Sequence, residues 1–177
     1  MALTGPRFLA LLEFLEGLGA GDRAHTGRTF LQHCLAVGHI LAGWDCTDDV
    51  CLAGVCHSIY GTEVSKAAAL DLDRRDDLRA VIGEAAEQIA YLNCAVDRRS
   101  LDLAMLSGAP PFRLRDRLAR TAYELSRETF ADLLRVHLAD WLEQVPHSKI
   151  GSYRRDTQGR IAAWLGGAPL KAFDALC

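Results

Sequence analysis

The stretch 126–145, SRETFADLLRVHLADWLEQV, constrains this chain most. Phe130, Leu133, Leu134, Leu138, Trp141, Leu142 and Val145 recur at the three-and-four spacing of one helix face. Ser126 can cap the helix, Glu128 stands in its electropositive first turn, and Pro146 stops it. A stripe this broad has to be covered by other elements around one core. Two polar residues, His137 and Asp140, interrupt it. A carboxylate on a half-buried helix face is costly unless it is paired or bound to a cation.

The rest of the chain reads as helices meant to cover that stripe. Thr4 is expected to cap a first helix, with Pro6 in its opening turn and Gly17, Gly19 and Gly21 ending it. A second helix is expected over 29–44, and a third over 48–60 behind Thr47. Residues 61–75 read as a charged connection. Helical spacing resumes over 76–82, is interrupted at Gly83, and continues over 84–94. Residues 96–99 read as a turn, and Gly108, Pro110 and Pro111 as a break. FRLRDR and TAYEL alternate with period two, which predicts a small hairpin within 112–125. Helices close the chain over 153–165 and after Gly166-Gly167. The fold expected is all-α, a single compact helical domain over 1–177, with at most that minor hairpin.

With a formal charge of −3 there is no basic field to gather nucleic acid, so no nucleic-acid partner is expected. No apolar run approaches the length of a membrane span, and the N-terminus has neither the basic start nor the cleavage site of a secretory leader. A cytoplasmic protein with no membrane partner is the expectation. Cys34, Cys46, Cys51, Cys56, Cys94 and Cys177 form no C-x-x-C pair and mostly sit in apolar helical patterns, so they read as buried, reduced thiols.

Three polar residues stand where apolar faces should be: His33 between Leu31 and Cys34, His57 at the end of CLAGVCH, and Asp140. Imidazole and carboxylate together suit zinc, manganese or iron, although each residue alone reads equally as a hydrogen-bonded or solvated side chain. A resemblance connects them. AHTGRTFLQHCLAVGHILAGW and DCTDDVCLAGVCHSIYGTE resemble the opening of an HD domain, in the pattern of the alarmone (guanosine tetraphosphate) hydrolase branch. IGEAAEQIAYL resembles an intervening helix of that branch, and HLADWLEQV its closing helix. The resemblance covers roughly 24–145. It implies an HD-like bundle in which His33, His57 and Asp140 hold metal, with Gln144 where the branch carries Asn.

The departures bear on mechanism. Ser58 replaces the Asp that defines the His-Asp pair, and Gly61 and Thr62 replace the acidic pair that places the attacking water. Without a bridging carboxylate, the set suits one divalent transition metal (Mn, Fe or Zn). Tyr60, Arg28 and Ser58 are the candidate catalytic residues. Tyr60 follows His57 by three positions, Arg28 offers a planar fork for phosphate, and Ser58 can hydrogen-bond a bound water or ligand. His25, His137 and Gln144 are candidates for the surrounding shell, whereas Glu63, Arg98 and Arg99 read as solvated. The function expected is a metal-dependent hydrolase of a phosphorylated small molecule or nucleotide, its substrate a small and anionic one. The alternatives are a mononuclear non-haem iron oxygenase and a degenerate HD-fold protein that binds a ligand or partner.

Overall fold

The computed structural model describes residues 3–21, 24–25, 28–147 and 153–176, with residues 24, 25 and 28 described through their backbone. Among these, nine α-helices account for most of the chain. They are α1 (Pro6–Gly17), α2 (Phe30–Gly43), α3 (Asp48–Val55), α4 (Arg75–Ile82), α5 (Glu84–Ala95), α6 (Arg98–Ser107), α7 (Arg127–Gln144), α8 (Arg155–Leu165) and α9 (Gly167–Leu176). Two antiparallel pairs complete the fold: β1 (Ala24–His25) with β2 (Arg28–Thr29), and β3 (Phe112–Arg115) with β4 (Ala122–Leu125). The all-α expectation holds, and the second pair is the hairpin expected within 112–125. Its register sets Phe112 opposite Leu125 and Leu114 opposite Tyr123, so Phe112 and Leu114 face the core while Arg113 and Arg115 face out.

Local signals fix most helix ends. Thr29 caps α2 in a capping box with Gln32, Thr47 accepts from the Val50 amide, and Ser126 accepts from that of Thr129. At α1 the cap position belongs to Gly5 rather than Thr4, with Pro6 opening the helix. Two expectations need larger correction. The third helix ends at Val55, not near Tyr60, and residues 56–60 form turns. The expected turn at 96–99 instead opens α6, whose first amides are met by Asp97 and by Glu63.

Two apolar cores share one helix. The first gathers α1 to α5 around Leu11, Leu41, Val55, Leu78 and Ile82. The second gathers α6, the β3–β4 hairpin, α8 and α9 around Leu101, Phe112, Phe130, Leu133 and Ile161. Within it Phe112 stacks on Phe130 at 4.0 Å, and Trp164 meets both edge-on. Helix α7 serves both cores, giving Val136 and Ala139 to the first and Leu134, Leu138 and Leu142 to the second. The five described cysteines are buried and free. No described helix is long and apolar enough to cross a membrane.

Candidate metal centre

The seam between the two cores brings three helices to one point. A close approach of α2 and α3 comes first. A Cβ on Gly54 would stand 2.2 Å from Leu41 Cδ1, and one on Gly38 would stand 2.6 Å from Val55 Cγ2, so only glycine lets the backbones meet. That contact sets His33, on α2, beside His57, just past the end of α3; their rings lie edge to face with centroids 4.8 Å apart. Asp140 enters from α7. His33 Nε2 lies 3.1 Å from His57 Nε2 and 3.3 Å from Asp140 Oδ1, and the third edge of the triangle is 3.4 Å. Among the described residues these three form a buried group able to hold a metal ion.

The geometry fits a facial ligand set. Donor atoms at about 2.1 Å from a zinc-like ion are about 3.0 Å apart in octahedral and about 3.4 Å apart in tetrahedral coordination. The observed edges span that interval.

The outward ring nitrogens are also committed. His57 Nδ1 donates to the Gly54 carbonyl at 2.9 Å, which α3 leaves accessible by ending at Val55. His33 Nδ1 donates to Glu143, buried on the same helix as Asp140. With both Nδ1 protonated, a neutral His33, a neutral His57 and an ionised Asp140 present three acceptors to one another and no donor. Such a group requires a cation or a proton at its centre. In the metal-free chain the proton serves. Burial disfavours a charged His57, but the Asp140 carboxylate outweighs it and holds the imidazole above its ordinary range. Burial likewise opposes charge on Asp140, and the two histidines override it, keeping the carboxyl well below its ordinary range.

The remaining candidates divide. Gln144 donates to Asp140 Oδ1 at 2.6 Å and orients it. His137 is buried beside Arg98 Nη1 at 3.4 Å; burial, then the Arg98 charge, depresses its pKa to about 3, so it is neutral. Ser58 lines the cavity with its hydroxyl unpartnered among the described residues. Tyr60 is not in the cavity wall: with the third helix ended at Val55, its hydroxyl donates to Glu87 at 2.9 Å inside the first core. The side chains of His25 and Arg28 lie outside the described residues. Glu63 remains exposed and accepts from the Arg98 amide.

Two contributors escaped the sequence reading. Arg98 lines the cavity rather than standing in solvent. Glu143 orients His33, a candidate ligand, and its position three residues after Asp140 on the same helix was the available signal. Replacing Glu143 by Gln is expected to weaken metal binding about 10–100-fold without unfolding the helix bundle. Competition against a chelator, with circular dichroism as control, checks it; unchanged affinity would make Glu143 a mere core residue.

The cavity above the triangle is about 120 Å³ and is walled by residues including Arg98, Trp141, Val145, Tyr153 and Gln158. Pockets that bury drug-sized ligands run to roughly 300–1,000 Å³. This one takes a small molecule, or the reacting end of a larger one.

Comparison with known proteins adds one match. A family profile described as a domain of unknown function, DUF6817, is similar to residues 14–98. That stretch carries His33, His57 and Ser58, and Asp140 lies beyond it. The comparisons with curated proteins and with solved structures found no match.

Proposed function

We propose that the chain is a mononuclear metal-dependent hydrolase acting on a small phosphorylated molecule, or on the phosphorylated end of a nucleotide. The observation that carries this reading is the convergence of His33, His57 and Asp140 with both Nδ1 atoms committed elsewhere. The order of the three motifs, which resembles an HD domain, supports the same class. Manganese, iron and zinc all suit two imidazoles and one carboxylate. A divalent ion held there lowers the pKa of water toward neutrality and offsets negative charge on a phosphoryl group.

The chain's own residues supply the rest. Glu143 and the Gly54 carbonyl fix the two imidazole tautomers, and Gln144 holds the carboxylate. Ser58 offers a neutral hydroxyl where a carboxylate would favour a second ion, which supports a single-ion site. Trp141 and Val145 give the cavity apolar lining. An iron oxygenase remains the second reading, because two histidines and a carboxylate with open positions form its usual ligand set.

Elemental analysis and turnover of p-nitrophenyl phosphate test the proposal. One ion per chain with metal-dependent phosphate release is the expected result. Two ions per chain, or iron with dioxygen consumption, would overturn it. Metal affinity should also depend on pH with a definite sign. The ion must displace the His57 proton, so affinity falls about tenfold per unit as pH drops below the raised His57 pKa and levels off above it. A pH-independent affinity would exclude His57 as a ligand.

A further inference from the structure

The cavity has a second polar wall that the metal triangle leaves unused. Arg98, at the start of α6, reaches it with its guanidinium beside His137. Among the described residues that guanidinium makes no ion pair. With an ion in the triangle, the site would carry two charges on the metal and one on Arg98, against one each on Asp140 and Glu143. The balance is positive, and an anion would neutralise it.

Two buried atoms of residues lining this cavity also lack partners among the described residues. These are Ser58 Oγ, in a residue 7% exposed, and Gln158 Oε1, in a residue 1% exposed. Leaving such an atom buried and unpaired is costly. Gln158 belongs to α8, beyond the stretch that resembles an HD domain, and nothing in that resemblance assigns it or Arg98 a role. Trp141, Val145 and Val64 add apolar surface to the same cavity.

We propose that Arg98, Ser58 and Gln158 form a recognition subsite for a small oxyanion ester that carries a neutral hydrogen-bond donor. Arg98 binds the oxyanion, the Gln158 carbonyl accepts the ligand's hydroxyl or amide N–H, and the Ser58 hydroxyl completes the polar wall. The proposal rests on the hydrolase reading for the bond that is broken, not for these three contacts.

Calorimetry on the full chain, metal-loaded and metal-free, tests it with two probes of equal heavy-atom count that carry no hydrolysable ester. These are 3-hydroxypropyl phosphonate and n-butyl phosphonate. The wild-type chain should bind the hydroxylated probe about tenfold more tightly, as one buried hydrogen bond allows. Gln158→Leu should erase the preference while leaving n-butyl phosphonate affinity unchanged. Ser58→Ala should reduce the preference and guards against misfolding of the Gln158 variant, with circular dichroism as control. Arg98→Gln should weaken both probes by a common factor of about ten or more.

No preference in the wild-type chain, including no binding of either probe, overturns the subsite. So does a preference that survives Gln158→Leu, or binding indifferent to Arg98→Gln. The preference without turnover of p-nitrophenyl phosphate overturns the hydrolase reading and leaves the subsite standing. Turnover without the preference does the reverse.

Discussion

Asp140→Asn is expected to lower metal affinity by more than about 100-fold, beyond the range for losing a residue that only orients a ligand. Asp140 would supply the only anionic atom of the triangle, because both histidines would ligate as neutral imidazoles. Asparagine keeps the shape and the contact with Gln144 but brings no charge to oppose that of the ion. Ser58→Ala, by contrast, removes a neutral hydroxyl that the triangle does not include, and should leave affinity within a few-fold of wild type. Ser58→Asp is the informative third variant. It places a carboxylate in the same cavity, next to His57, and should raise affinity or occupancy. Elemental analysis after dialysis of the four proteins compares them directly. If the Asn variant holds its ion as well as wild type does, Asp140 is not a ligand.

The largest expected effect on stability lies away from that site. Glu87 is fully buried on α5, and four donors saturate its carboxylate. Tyr60 Oη and Arg75 Nε reach Oε1 at 2.9 and 2.7 Å; Arg75 Nη2 and Arg79 Nε reach Oε2 at 2.9 and 3.0 Å. Arg75 also lies over the Tyr91 ring, 3.6 Å from its centroid. Glu87→Ala leaves a half-buried guanidinium and a buried phenol without their acceptor, and should cost about 3–5 kcal/mol. Urea denaturation measures it as a lowered midpoint at unchanged slope. Metal content should be unaffected, since none of these side chains lines the cavity. Tyr60→Phe should lose only about 1 kcal/mol, the worth of one hydrogen bond, and leave turnover intact. A large loss of turnover in that variant would return Tyr60 to the catalytic set.

Helix positions were legible where local chemistry decided them. Thr29 with Gln32, Thr47, and Ser126 with Pro146 mark their ends in the chain itself, and the alternation around Phe112 and Leu114 gave the hairpin. What the sequence hid was decided at a distance. Nothing in CLAGVCHSIY breaks a helix, yet α3 stops before Cys56. There the His57 carbonyl accepts from Asn93 Nδ2 at 2.8 Å and from Cys94 Sγ, so α5 takes the acceptor that another helical turn would need. The same kind of remoteness hid two charged residues. Glu143 and Arg98 look like solvent-facing side chains until α2 and α7 bring their partners, His33 and His137, to meet them. The three candidate ligands each break an apolar pattern, but the order of the motifs in the HD-like resemblance, not a local signal, connected them. Gln144, which orients Asp140, was singled out through the same resemblance, whereas Glu143 was not, because a charged group beside other polar residues breaks no pattern.

Because α7 forms a wall of both cores, the fold has no dispensable half. Heat that loosens α8 and α9 strips the face of α7 that carries Phe130 and Leu134, and with it the register that presents Asp140 to α2 and α3. An ion bridging α2, the end of α3 and α7 would act as a rivet through that shared wall. At a free concentration 100 times its dissociation constant, it adds about 2.7 kcal/mol to the native state of the whole chain. Metal supply would thus set how long the protein persists in its folded form, in addition to whether its site can work.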